Sequence, residues 1–117
     1  MQQVTHWAPF KAGAAIGARK IVRIANDGDA EQAKANTNGL IGVSGSRAVA
    51  TDGTVEVAIS GIAEVQLGGD VKEGALITAD SSGDAVTATG NNRIVGICVV
   101  GGADGDIGSV LLAPGSA

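Results

Sequence analysis

Residues 40–43 read LIGV and residues 94–97 read IVGI, so one aliphatic pattern with glycine in third place occurs twice, 54 positions apart. With one inserted residue, the triplet GDA at residues 28–30 matches GDA at residues 83–85. Further matches at the same offset occur in order along the chain: Ala25 with Ala79, Asn38 with Asn92, and Gly61 with Gly115. An ordered series of this kind indicates a duplicated unit, and two copies favour a closed pseudo-symmetric domain over a solenoid.

The two repeats, residues 20–61 and 74–115, predict the same β-strands. Residues 84–89 read DAVTAT, a β-branched alternation typical of a strand, whereas the matching residues 30–35 read AEQAKA and favour a helix by composition. Because the segments are equivalent, both are predicted as strands. The other predicted strands are aliphatic or alternating segments, at residues 20–25, 55–59, 63–67, 76–79, 93–100 and 109–113. Turns rich in Gly and Asp separate them at intervals of about ten residues, which predicts an all-β sandwich or barrel.

Residues 1–18 differ from the rest of the chain and predict an extended N-terminal arm in front of a single β domain of residues 19–117. The segment has no β alternation, yet it holds the only Trp, Phe and His of the chain. Large aromatic side chains usually serve a core, so this placement predicts an arm that docks on another chain. Trp7 and Phe10 would anchor it, and Pro9 would limit the entropy lost on docking. The alternative is that both rings fold back and plug one end of their own domain.

Charge is unevenly distributed between this segment and the body. The first 26 residues hold four basic side chains and no acid, whereas the remainder carries a net charge of −8, giving −4 overall. The four basic residues are Lys11, Arg19, Lys20 and Arg23. A basic leading segment on an acidic body predicts contact with an acidic surface on another copy or a different partner. The alternative is a solvated segment whose charges have no specific role.

Composition narrows the function classes. The acidic balance argues against nucleic-acid binding, no apolar segment approaches the roughly 20 residues of a membrane helix, and the N-terminus lacks a secretory signal pattern. The chain has 19 glycines, no Tyr and a single Cys, which excludes an intrachain disulfide. Because its apolar side chains are small, each buries little area, so we expect the domain to gain stability from association.

No residue pattern predicts a catalytic or cofactor site. His6 has no orienting partner in the sequence, and Cys98 lies in an apolar segment typical of an inert buried thiol. Residues 42–46, GVSGS, lack the Lys-Ser/Thr ending of a phosphate loop, and Lys34 lacks the flanks of a carrier-domain lysine. The acidic residues that could gather around calcium do not follow the EF-hand spacing and are explained by turns: Asp27, Asp29, Glu31, Asp104 and Asp106. We therefore expect no enzyme activity, cofactor or metal.

One stretch resembles a known family. GDVKEGALITAD at residues 69–80, followed by GDAVT at residues 83–87, is similar to the GDxVxxGxxIxxD…G pattern of tailed-phage capsid decoration proteins, also called cement or head-stabilising proteins. Other segments resemble the closing strands and the middle of that family: residues 93–98, 108–112, 40–43 and 55–61. The likeness covers about residues 15–115, and its order and spacing are more specific than any single motif.

The resemblance implies a β-barrel or β-tulip body and a homo-oligomer on the outside of an icosahedral capsid, with a trimer favoured over a dimer. Such a protein is made in the host cytoplasm, joins the virion after the shell expands and bridges neighbouring subunits of the major capsid protein. Position in the chain, not the family pattern, assigns the contact residues. Trp7 and Phe10 would be anchors, and Pro9 would set the path of the arm. The expected partners of acidic capsid groups are Lys11, Arg19, Lys20 and Arg23.

Two other classes remain open at this stage. A component of another protein shell or surface assembly needs the same physical properties, so the sequence separates it poorly from a capsid protein. A receptor-binding module would carry aromatic side chains on loops of the body, and residues 19–117 contain none.

Overall fold

The computed structural model describes residues 2–25, 27–35, 38–90 and 92–116, which form nine β-strands and no helix. The strands are β1 (Gln3–Lys11), β2 (Ile21–Ile24), β3 (Ala30–Gln32), β4 (Leu40–Ser44), β5 (Thr54–Gln66), β6 (Leu76–Ala79), β7 (Ala85–Thr87), β8 (Arg93–Val100) and β9 (Ile107–Ser116). They pair antiparallel in the order β3-β2-β4-β5-β9-β8-β6-β7, and β1 also pairs with β5. The predicted all-β fold is confirmed, as an open antiparallel sheet.

Strand boundaries differ from the prediction mainly at β5. The sequence predicts separate strands at residues 55–59 and 63–67, and this is wrong, because β5 runs without a break from Thr54 to Gln66. Gly61 lies between the two predicted segments with a φ of 95°, a conformation that glycine adopts without steric cost. The strand therefore continues through the position that reads as a turn. The segments predicted at residues 30–35 and 84–89 are strands, but only three residues long.

The order of the strands shows the duplication, because β3-β2-β4-β5 from one end matches β7-β6-β8-β9 from the other. The first unit consists of β1 to β4 and residues 54–60 of β5. The second unit consists of residues 61–66 of β5 and β6 to β9. Both units belong to one sheet of nine strands among the described residues, and they share the long strand β5.

Register shows that β1 belongs to the duplicated unit. Lys11 of β1 pairs with Thr54 as Gln66 of β5 pairs with Ile107. The next backbone contact also matches, because the Ala12 N–H donates to the Gly53 carbonyl as the Leu67 N–H donates to that of Asp106. Residues 7–11 of the predicted arm are thus the counterpart of residues 62–66 of β5. The missing alternation has a structural cause, since register shifts interrupt the pairing between Val4 and His6 and between His6 and Trp7.

The core consists of two buried clusters, and the larger one joins the two units. The smaller cluster lies within the first unit: Ala12, Ile16, Val22, Ala30, Val55 and Val57. The larger cluster contains first-unit residues such as Ile21 and Val43 together with second-unit residues such as Ile77, Val95 and Val110. Strand β4 accordingly contacts β8 and β9. The core is built from small aliphatic side chains, as the composition predicts.

Candidate partner-binding surface

The aromatic residues predicted as anchors lie on β1 and contact their own chain. Trp7 pairs with Ala58 and Phe10 with Val55 on β5. Both side chains are half-buried: Trp7 packs against the larger buried cluster and Phe10 against the smaller one. Pro9, opposite Glu56, is exposed. The position of the rings corresponds to the fold-back alternative, while contact with a further chain through their exposed parts stays a prediction.

Trp7 also lines an open cleft of about 610 Å³ beside β1. The lining also includes Arg47 and Glu56, so the cleft combines an aromatic surface with side chains of both charges. Gly45 and Ser46 reach the same cleft directly after β4 ends at Ser44. The glycine-rich segment that superficially resembles a phosphate loop is followed by a bend and an isolated bridge, not by a helix.

The four basic residues of the leading segment all have acidic partners within the chain. Lys11 Nζ lies 3.6 Å from Asp52 Oδ1, and Arg19 Nε lies 3.8 Å from Glu64 Oε1. Arg23 Nη1 donates a hydrogen bond of 2.9 Å to Glu31 Oε1. The fourth pair joins the two units, with Lys20 Nζ donating to Asp84 Oδ1.

These four pairs differ in exposure. The Lys11 side chain is 60% exposed, whereas those of Lys20 and Asp84 are only 17% and 14% exposed. Of the four cations, Lys11 is therefore the one most open to a partner, and Lys20 serves the contact between units.

A row of aliphatic side chains lies exposed on the second unit. Ile97 on β8 is directly opposite Leu76 on β6 on one side and Leu111 on β9 on the other. Leu111 is in turn directly opposite Ile62 on β5. Directly opposite residues share one face of an antiparallel sheet, so these four form a continuous surface, here called the aliphatic row. Leu76 and Ile97 are each 37% exposed and Leu111 is 43% exposed.

The sequence analysis did not identify the aliphatic row. Leu76 is followed by Ile77 and Leu111 by Leu112, so apolar side chains occupy both faces of these strands. Period-2 alternation marks an exposed face only when one face is polar. The signal that finds the row is the pairing register, which requires the structure.

The residues considered for chemistry have structural roles. Cys98 is 4% exposed, and burial, followed by the charge of Glu73, raises the pKa of its thiol. Asp27 Oδ1 accepts a hydrogen bond from the backbone N–H of Asp29, and Asp106 Oδ2 accepts one from Ala103, as expected of turn residues.

Three further features of the described residues bear on site chemistry. No group of three or more His, Cys, Asp or Glu is placed to hold a metal ion. The same part of the chain contains no helix able to cross a membrane. His6 and Lys34 are exposed, the first on β1 and the second two residues after β3.

Comparison with known proteins adds one finding. No protein-family model matches the chain, and no curated protein sequence matches it. A similar solved structure is described as the crystal structure of head fiber gp8.5 N base in bacteriophage phi29. It has a TM-score of 0.69 and 18% sequence identity, over 92% of this chain and 93% of that chain. The likeness therefore establishes a shared fold that includes both units.

Proposed function

We propose that this protein is a structural component of a bacteriophage virion that binds the outer surface of the assembled capsid and stabilises it by bridging subunits of the major capsid protein. The observation that carries the proposal is the fold shared with the base of a phage head fiber over nearly the whole of both chains. The capsid-decoration pattern at residues 69–80 supports the same assignment independently, because it comes from sequence alone.

The physical role is multivalent clamping of the shell. A homo-oligomer, with a trimer favoured, presents several equal contact surfaces at fixed spacing, so binding of one raises the effective concentration of the others. A ligand that binds only the assembled shell stabilises that shell by mass action. This role is structural rather than catalytic and requires no cofactor. It places the protein on the capsid exterior after synthesis in the host cytoplasm.

The proposed contact surface is the exposed side of β1 together with the Trp7 cleft. Because β1 is paired along β5 and its aromatic rings pack on the core, the surface is preorganised, and little conformational entropy is lost on docking. Trp7 offers its exposed part, and Lys11 on the same strand offers an exposed positive charge. Pro9 lacks a backbone N–H, which limits strand addition at this position.

Cosedimentation with expanded empty capsids of the phage that encodes the protein tests the proposal. Wild-type protein should sediment with expanded shells and raise their thermal disruption temperature. Lys11→Glu should weaken binding several-fold, because it reverses an exposed positive charge of the surface. Lys34→Glu is the matched control, since it makes the same change at an exposed lysine that lies outside β1 and does not line the Trp7 cleft. Absence of saturable binding to expanded shells would overturn the proposed function, and equal effects of both variants would overturn the proposed surface.

A further inference from the structure

We propose that the aliphatic row, Ile62, Leu76, Ile97 and Leu111, is the site where a second copy of this chain docks, presenting its first unit to the second unit of its neighbour. This inference deepens the proposed homo-oligomer and rests on the proposed function for its setting. It assigns two different surfaces of one chain to a head-to-tail contact.

The first unit contains the counterpart of the row. Ile21 on β2 is directly opposite Val43 on β4, and Val43 is opposite Ala58 on β5. By strand order these three match Leu76, Ile97 and Leu111. Each of the three first-unit residues is 0% exposed. Equivalent positions in equivalent sheets are thus fully covered in one unit and exposed by more than a third in the other.

The second unit covers the first-unit row. Ile21, Val43 and Ala58 belong to the buried cluster that second-unit residues complete. The β6–β7 turn, here called the hook, adds polar contacts to this apolar one. The carbonyl of Gly83 accepts a hydrogen bond from the Ile21 N–H, and the carbonyl of Ser82 accepts one from Gln32 Nε2. The Lys20–Asp84 ion pair joins the same turn to the first unit. The contact between units is therefore a built interface with apolar and polar parts.

Within the described ranges, no third unit covers the row of the second unit, yet the first unit carries a matching hook. In the first-unit turn, the Ala25 N–H donates to the Asp29 carbonyl and the Gly28 N–H donates to the Ala25 carbonyl. In the second-unit turn, the Asp80 N–H donates to the Asp84 carbonyl and the Gly83 N–H donates to the Asp80 carbonyl. The two turns thus have the same hydrogen-bonded geometry. Asp27 and Gly28 at the tip of the first-unit turn are exposed.

The second-unit surface that would receive the acidic first-unit turn carries a positive charge. The position that matches Lys20 in the second unit is Ala75, because the Lys20 carbonyl accepts from the Ser44 N–H as the Ala75 carbonyl accepts from that of Cys98. Lys72 is exposed three residues before Ala75. A second copy that repeats the internal contact brings Asp27 and Asp29 towards Lys72. The exposed row thus continues an interface that the chain already uses internally, and a heterologous contact of this kind closes into a ring when its rotation allows.

Sedimentation equilibrium of the full chain tests the inference. Wild-type protein at about 100 µM should be oligomeric, and Leu111→Glu or Ile97→Glu should be monomeric, because an unpaired charge is then buried at the contact. Thr51→Glu, at an exposed loop position of the first unit, adds the same charge and should leave the oligomer unchanged. Circular dichroism confirms that each variant is folded. A monomeric wild type, or folded row variants that remain oligomeric, would overturn the inference.

A mixing experiment separates the head-to-tail contact from one in which two rows face each other. Leu111→Glu lacks a row but retains its first unit, so a tagged sample should capture wild-type copies when dilute wild type is added. Failure to capture them would overturn the head-to-tail contact. The capsid assay is scored separately: a monomeric protein that still binds expanded shells contradicts this inference and leaves the proposed function standing.

Discussion

At the scale of single residues, glycines set how closely the strands approach one another. A Cβ at Gly42 would overlap the carbonyl oxygen of Ala58, and a Cβ at Gly96 would overlap that of Leu111. These are the glycines of the two matching quartets LIGV and IVGI. The duplicated motif is therefore explained by one steric requirement that occurs in both units.

Gly61 likewise sets how closely β1 approaches β5. A side chain there is strained by the positive φ and would also collide with the backbone of Gln3 and Thr5 on β1. Gly61→Ala should lower the free energy of unfolding by about 1–2 kcal/mol from conformation and by about 1–3 kcal/mol more from the collision. Urea unfolding followed by circular dichroism measures the loss.

Gly105→Ala is the control for this prediction. Gly105 has a φ of 88°, and a Cβ added there meets nothing within 4 Å, so only the conformational part of the loss applies. Equal losses in the two variants would mean that β1 does not pack against Gly61.

At the scale of elements, the pairing of β1 with β5 bears on the role of the leading segment. An arm held out for a partner contributes nothing to the stability of its own domain, whereas a strand paired along β5 does. Trp7→Ala should lower the free energy of unfolding by about 2 kcal/mol, half of the loss for a fully buried ring, because Trp7 is half-buried.

Trp7→Phe completes this test, since it restores an aromatic ring and should recover most of the loss. Thermal unfolding followed by circular dichroism suits both variants, because the chain has no other Trp to report by fluorescence. An unchanged midpoint for Trp7→Ala would show that the ring belongs to a partner contact instead.

At the scale of the whole molecule, the contact between units depends on the Lys20–Asp84 pair. Both side chains are largely buried, so removing one partner leaves the other without compensation. Lys20→Met should lower the free energy of unfolding by about 2 kcal/mol, the contribution expected of a hydrogen bond between charged groups.

Lys11→Met provides the comparison, because the Lys11–Asp52 pair is exposed on both sides. Its loss should be below about 1 kcal/mol and should vanish in high salt. Chemical unfolding of both variants at two salt concentrations measures the difference. Equal, salt-sensitive losses would show that Lys20 does not join the units.

The sequence by itself determines the all-β class, the duplication and most strand positions. These features depend on local patterns: side-chain alternation along a strand, glycine and aspartate in turns, and a repeated quartet. Residues 93–100 and 76–79 are strands as predicted for this reason. The composition likewise determines a core of small aliphatic side chains.

Only the tertiary structure decides the place of β1, the continuity of β5 and which faces are covered. Trp7 meets Ala58 and Lys20 meets Asp84 across about fifty residues or more of chain, and no local pattern encodes such pairings. The aliphatic row is a further case, because both faces of β6 and β9 are apolar in sequence. Burial of one face depends on whether another unit packs against it, which is a property of the assembled sheet and not of the strand.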